Sequence, residues 1–309
     1  MTVAHAPGKV ILLGEHAVVY GRPAVAAPVR DVQAMAVVED ALPGSGVTIV
    51  AEDLNRTFSL FDAPRDDPLR VIVSATLSRL GMGVRVDLKI TVSSTIPVAR
   101  GLGSGAAVST AIVRALAQHR GRWLTSRAVS DLVFETEKIH HGTPSGIDNT
   151  VIAFEKPVYF VRDKVMDIFW VGEPFQLVIG DTGVASPTRV AVEDVRAAWE
   201  RDQERYDEIF DEIGTLAHMG RGAIEAGDVE AMGRLMDANQ ELLRLIGVSS
   251  PELEGLIEAA RQGGALGAKL SGAGRGGNMI AVMTPETVGQ VSMMLRMAGA
   301  KNVIVTEVR

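Results

Sequence analysis

The chain contains no cysteine, which excludes disulfides, thiol nucleophiles and cysteine-ligated zinc. A basic excess is also missing. The 31 Lys and Arg residues face 38 Asp and Glu, a net charge of -7 that offers no field for nucleic acid or an anionic membrane surface. No apolar run approaches the roughly 18 residues needed to span a bilayer, and residues 1–7 lack the basic start and apolar stretch of a signal peptide. The expectation is a cytoplasmic protein that binds neither nucleic acid nor membrane. There is no fixed-period repeat, low-complexity tract or long charge block. What remains is an ordinary globular composition over 309 residues, 47% hydrophobic and 22% charged, enough for one large or two medium domains.

The most informative stretch is Pro97-Val98-Ala99-Arg100-Gly101-Leu102-Gly103-Ser104-Gly105-Ala106-Ala107. Its glycines leave the backbone unobstructed ahead of an amphipathic helix, so successive N–H groups and the helix dipole can converge on a phosphate. A tight turn is the competing reading. The loop is not a Walker A sequence, because Gly105 is followed by Ala106 and Ala107 rather than by Lys and Ser or Thr. Residues 101–106 fit G-x-G-x-x-A, but a dinucleotide fold wants a second parallel strand ending in an acid roughly 20 residues on. Arg120-Gly121-Arg122-Trp123 stands there instead.

Along the chain, Val10-Ile11-Leu12-Leu13 reads as a buried strand, and further strands are predicted at 32–38 and 47–51 before a helix over 68–80. Val84, Val86, Leu88, Ile90 and Val92 alternate with polar residues, a strand with one wet face that delivers the chain to the glycine loop. In the helix after the loop, Val108, Ala111, Ile112, Ala115 and Leu116 share one face. A second helix, over 126–140, turns Val129, Leu132, Val133 and Thr136 to one side, with Glu135 and Glu137 both flanking that stripe. Taken alone, His16 reads as a hydrogen-bonded structural histidine, Lys9 as a solvated strand-end lysine and Asp148 as a turn former. His140 and His141 are adjacent, so their side chains diverge and make no zinc pair.

A boundary is expected near Glu173-Pro174, giving domains 1–173 and 174–309. Beyond it come a strand over 175–179, an N-cap at Ser186 with Pro187 as first helical residue, two helical stripes over 206–216 and 229–246, and a helix opened by Ser250-Pro251. The methionines of this region read as core filling. The chain closes with strands at 267–270, 278–283 and 303–308, a helix over 285–298, and a second glycine-rich loop at 271–277. Strands with helices on one face suggest an α+β second domain.

Three ordered segments resemble the motifs of the GHMP kinases: Ala6-Pro7-Gly8-Lys9-Val10 with Gly14-Glu15-His16-Ala17-Val18-Val19-Tyr20-Gly21, then Pro97 to Ala107, then Lys269-Leu270-Ser271-Gly272-Ala273-Gly274-Arg275-Gly276-Gly277. Within that family the first segment and His141-Gly142-Thr143-Pro144-Ser145-Gly146-Ile147-Asp148-Asn149 are most similar to the mevalonate kinases. Galactokinases typically follow Glu-His with Thr/Ile-Asp-Tyr, and phosphomevalonate kinases often have Tyr in place of the His. The resemblance implies a two-domain α+β fold: an N-terminal domain like ribosomal protein S5 and a C-terminal ferredoxin-like domain.

The resemblance also implies ATP-dependent phosphorylation of the mevalonate C5 hydroxyl. In that reading Arg100, Gly101, Leu102, Gly103, Ser104, Gly105 and Ala106 hold ATP. Ser104 and Glu137 hold Mg²⁺; Glu137 is chosen over Glu135 because the family's metal glutamate lies eleven residues before its catalytic aspartate, as Glu137 does before Asp148. Asp148 takes the hydroxyl proton and Lys9 stabilises the negative charge around it. Glu15, His16 and Thr188 are the substrate-side or site-shaping residues, and Gly272, Ala273 and Gly274 close over the site. Relatives are commonly dimers, so a homodimer is expected. Two alternatives stay open: a GHMP kinase acting on galactose or phosphomevalonate, and a non-catalytic ligand sensor of the same fold.

Overall fold

The computed structural model describes the whole chain except Val84, Val98, Ala99, Gly142, Thr143, Pro144, Asp163, Val165 and Pro187, and except the side chains of residues 139–141. The first stretch runs β1 (Thr2–Leu13), β2 (Ala24–Asp40), β3 (Val47–Ala51), β4 (Arg56–Ser59), α1 (Pro68–Arg79), β5 (Leu88–Ser94), α2 (Ser104–His119), α3 (Ser126–His141) and α4 (Ile147–Phe154). Next come β6 (Val158–Phe160), β7 (Asp167–Ile168), β8 (Phe175–Asp181), α5 (Thr188–Arg201), α6 (Gln203–Ala226) and α7 (Val229–Leu245). The last are α8 (Pro251–Gln262), β9 (Gly267–Ser271), β10 (Asn278–Met283), α9 (Val288–Met297) and β11 (Asn302–Val308).

These elements form two compact units. The first gathers residues 1–8, 32–97 and 103–155; the second gathers 9–31, 98–102 and 156–309. In the first unit β5 pairs antiparallel with the later half of β2 and parallel with β3, which pairs antiparallel with β4. Helices α2, α3 and α4 pack on one another. Ile49, Ile90, Ile72, Leu77, Ile112 and Leu116 close its core without solvent exposure. At the start of α1 the Asp67 carboxylate accepts from the N–H groups of Leu69 and Arg70, at 3.0 and 3.3 Å, with Pro68 as the first helical residue. Such a cap is worth about 1 kcal/mol.

The alternation read from residue 84 gives a shorter strand than expected. Both ladder partners of β5 begin at Leu88, opposite Val47 on β3 and Asp40 on β2. Asp87 turns its carboxylate to the Gly46 N–H at 2.8 Å instead, and hydrogen bonds from the 44–46 backbone hold its carboxyl below the usual carboxylate range. Val84 lies outside the described residues. Conversely, β1 extends well before Val10, because pairing with β2 rather than local hydropathy sets its length.

In the second unit β8, β9, β10 and β11 make an antiparallel sheet in the order β11-β8-β10-β9. Phe210, Ile213, Leu243, Leu253, Ile257 and Leu270 lead the cluster between this sheet and its helices. The Ser250 hydroxyl caps α8 as expected, accepting from Leu253 N–H. Helix α7 meets β9 backbone to backbone. A Cβ on Gly267 would lie 2.0 Å from the Gly233 carbonyl oxygen, and one on Gly233 would lie 2.4 Å from that of Leu266. Only glycine permits that approach.

Candidate active site

Within the second unit, residues from each of the three motif segments touch along β1. The Lys9 N–H donates to the Leu102 carbonyl at 3.0 Å, joining the first motif to the glycine loop. At the strand's other end the Ser271 hydroxyl donates to the Ile11 carbonyl at 2.9 Å, joining it to the third. The Lys9 side chain is buried and interacts with neighbouring groups.

Beyond β1 the chain folds into a γ-turn of the rarer, strained sign. His16 has φ 59 and ψ -52, and Ala17 N–H reaches back to the Glu15 carbonyl at 2.6 Å. Three contacts fix this turn. His16 Nε2 donates to the Ala273 carbonyl at 3.0 Å. Lys269 Nζ donates to one Glu15 carboxylate oxygen, and Asn239 Nδ2 donates to the other at 3.4 Å. Lys269, Glu15 and Asn239 are buried, with Lys269 wholly closed off. Burial pushes the Lys269 ammonium below the usual lysine range, and the Glu15 charge opposes that shift. Burial likewise lowers His16 from 6.5 to about 4, with the nearby Arg275 and Lys269 charges adding to it and the Ala273 hydrogen bond opposing it. His16 is therefore neutral around pH 7, with its proton on Nε2.

The third loop leaves β9 at Ser271. Gly274 has φ 77, and a Cβ there would lie 2.1 Å from the Val248 carbonyl oxygen, so the loop cannot accept a side chain at this point. The Ser186 hydroxyl donates to the Gly274 carbonyl at 2.7 Å. The expected first helical residue, Pro187, lies outside the described residues. Thr188 opens α5 and is exposed.

The glycine loop divides between the units. Arg100, Gly101 and Leu102 belong to the second; Gly103, Ser104, Gly105 and Ala106 belong to the first. Gly103 adopts the left-handed conformation at the N-cap of α2, no side chain caps the helix, and the Ala107 N–H closes its first turn on the Gly103 carbonyl at 3.0 Å. The N–H groups of Ser104, Gly105 and Ala106 thus lead a 16-residue helix, an arrangement that suits an anion. Val98 and Ala99 lie outside the described residues.

In the same unit the helix α3 settles what periodicity left open. Glu137 is buried, 4% exposed. Glu135 is exposed and pairs with Lys138 at 2.7 Å. Asp148 sits in the first turn of α4, where the helix dipole favours a carboxylate, and it is half-buried. Glu137 and Asp148 both interact with neighbouring groups. Ser104, Glu137 and Asp148 therefore stand on three mutually packed helices. Much of the segment before Asp148, including Gly142-Thr143-Pro144 and the side chains of His140 and His141, lies outside the described residues.

Comparison with known proteins fits this distribution of motifs. Residues 69–156 match the family described as GHMP kinases N terminal domain, and residues 221–299 match GHMP kinases C terminal. The mevalonate kinase of Pyrococcus furiosus is 33% identical over 320 residues, spanning 98% of this chain and 95% of that protein.

The chain belongs to the GHMP kinase family.

The mevalonate kinase of Aeropyrum pernix, another relative, is 35% identical over 285 residues, covering 90% of this chain and 87% of its own. Among solved structures, L. major mevalonate kinase in complex with R-mevalonate superposes with a TM-score of 0.86 at 28% identity, over 100% of this chain and 96% of that one. The fold is thus the two-domain GHMP kinase fold, and the chain is an ATP-dependent kinase. Two residues of this GHMP kinase escaped sequence reasoning as partners of Glu15. Lys269 carried a signal, a lysine inside the apolar strand Gly267 to Leu270. Asn239 carried a weaker one, an amide on the apolar face of α7 among Met232, Leu235, Met236 and Leu243.

Proposed function

We propose that this chain transfers the terminal phosphoryl group of ATP to the C5 hydroxyl of mevalonate, giving 5-phosphomevalonate and ADP. The observation that carries the reading is relatedness to mevalonate kinases over nearly the whole chain, with Glu15-His16 and the Asp148 segment both present. Along the sequence, residues 1–173 serve as the ATP-binding domain and 174–309 as the ferredoxin-like domain, a division that differs from the compact units, which group 9–31, 98–102 and 156–173 with the second; the two matched family segments fall on either side of it.

Phosphoryl transfer asks for alignment and charge neutralisation more than for covalent chemistry. Residues 101–106 line the nucleotide, with Arg100 at the head of that loop, and the N–H groups leading α2 face its phosphates. Asp148 accepts the proton of the C5 hydroxyl as that oxygen attacks phosphorus. Lys9 stabilises the negative charge developing on the attacking oxygen. The neutral His16 and the Glu15 turn shape the acceptor side together with Thr188, and Gly272, Ala273 and Gly274 cover it.

The family implies Mg²⁺, and the residues fit that ion. Among the described residues no group of three or more His, Cys, Asp or Glu gathers to hold a metal unaided. An ion delivered on ATP phosphates needs only one or two hard oxygen ligands, which the buried Glu137 carboxylate and the Ser104 hydroxyl would supply. Bound there, Mg²⁺ would offset phosphate charge. The chain carries no helix among its described residues long and apolar enough to cross a membrane, and the substrates are small molecules; we propose a cytoplasmic homodimer.

A coupled ADP-release assay over mevalonate, phosphomevalonate and galactose tests the reading. Turnover with mevalonate is expected. Turnover of galactose or phosphomevalonate without mevalonate sinks the substrate assignment, and no ADP formation with any acceptor favours a ligand sensor.

A further inference from the structure

Arg100 sits at the head of the glycine loop, where a nucleotide contact is the obvious use for a cation. Its guanidinium is directed elsewhere. One terminal nitrogen donates to the Val184 carbonyl at 2.7 Å and the other to that of Gly183 at 3.3 Å. Nε lies 3.4 Å from an Asp181 carboxylate oxygen. The other Asp181 oxygen accepts from Gly183 N–H at 2.8 Å, so the acid and the arginine grip the same turn. The backbone of Arg100 is held as well, because the buried Asn278 amide donates to its carbonyl at 2.6 Å. A planar fork that satisfies two carbonyls and a carboxylate at once is a role lysine cannot copy.

The turn that Arg100 grips is itself stitched to the third motif. The Thr182 N–H and hydroxyl both donate to the Gly277 carbonyl at 2.9 Å, and Gly277 N–H donates to Val184 at 2.9 Å. Ser186 adds its bond to Gly274. Residue 100 therefore joins the loop read as nucleotide-binding to the segment that ends at Thr188. We propose that Arg100 is a positioning residue that couples the binding of nucleotide and acceptor alcohol, acting through residues 181–186 and Thr188 rather than by touching the phosphates. The inference rests on the assignments of the loop and Thr188 made above. Ligand binding at either end favours the latched arrangement, and by linkage each ligand then tightens the other.

The test titrates the non-hydrolysable ATP analogue AMPPNP into wild type, R100A, R100Q and D181N by calorimetry. Each is measured without acceptor and with a saturating concentration of the acceptor that wild type turns over. The ratio of the two affinities is the readout. Wild type is expected to bind the analogue more tightly with acceptor present, and R100A to lower that ratio by about fivefold or more, with D181N moving it the same way. R100Q keeps part of the stem and one donor, so it provides a folded variant if thermal melting shows that R100A is not. A ratio retained in the folded Arg100 variants overturns the proposal, as does a wild-type ratio of one. If the acceptor proves not to be mevalonate, the substrate reading falls while the ratio still decides the role of Arg100.

Discussion

Lys269 donates to the carboxylate of Glu15, which lies 254 positions earlier in the chain, and neither side chain meets solvent. Such a pair is costly to break from one side, because the survivor is left as a buried, uncompensated charge. Lys269→Met should lower stability by about 3–5 kcal/mol. Removing both charges in a Glu15→Leu/Lys269→Met double variant should recover most of that loss. Urea unfolding of the three proteins decides it, and a double variant as unstable as the single one would contradict a compensated pair.

The His16 imidazole makes stability depend on pH in a defined window. Its folded-state pKa of about 4 lies below the unfolded value of 6.5, so between those values the unfolded chain binds the extra proton and stability falls as pH falls. The shift corresponds to a contribution of order 3 kcal/mol, present in full above pH 6.5. His16→Asn lacks that titration. The stability gap between wild type and His16→Asn should therefore narrow by about 2 kcal/mol between pH 7 and pH 4.5. Parallel pH profiles for the two proteins would show that His16 is not held neutral.

Replacing the proton acceptor separates chemistry from binding. Asp148→Asn should reduce kcat by about 10²–10⁴-fold while AMPPNP still binds. A near-normal kcat in steady-state assays would remove Asp148 from the role of base.

Ser104 carries a narrower expectation. Ser104→Ala should raise the Mg²⁺ concentration needed for half-maximal turnover, since one hard oxygen ligand is lost. An unchanged Mg²⁺ titration would count against Ser104 as a ligand.

Much of this architecture is legible in the sequence. The strand over 47–51, the helix starting at Pro68 and the Ser250-Pro251 cap all follow from local chemistry, and they fall where periodicity and capping put them. Strand β5 started late because its length belongs to its partners, which the alternating residues themselves cannot report. Glu135 and Glu137 could not be told apart on a helical wheel, because which one is buried depends on how α2, α3 and α4 pack. The Glu15–Lys269 pair, the Asn239 contact and the grip of Arg100 on Gly183 and Val184 join residues far apart in sequence. No local pattern encodes those pairings, although a lysine in an apolar strand announces that some partner must exist.

The glycine-to-glycine contact between α7 and β9 also bears on how damage would spread. Gly233 lies on the helix that carries Asn239, and Gly267 lies two positions before Lys269, on the same face of its strand. With no side chains between them there, the spacing of helix and strand also sets the positions of both donors to Glu15. A substitution at either glycine would force Asn239 and Lys269 apart and loosen their joint hold on the Glu15 carboxylate, leaving the Ala273 contact as the remaining anchor of the turn at His16. On the acceptor-side role proposed for Glu15 and His16, a carrier of such a change would look kinetically like an acceptor-site mutant, although the altered residue touches neither of them.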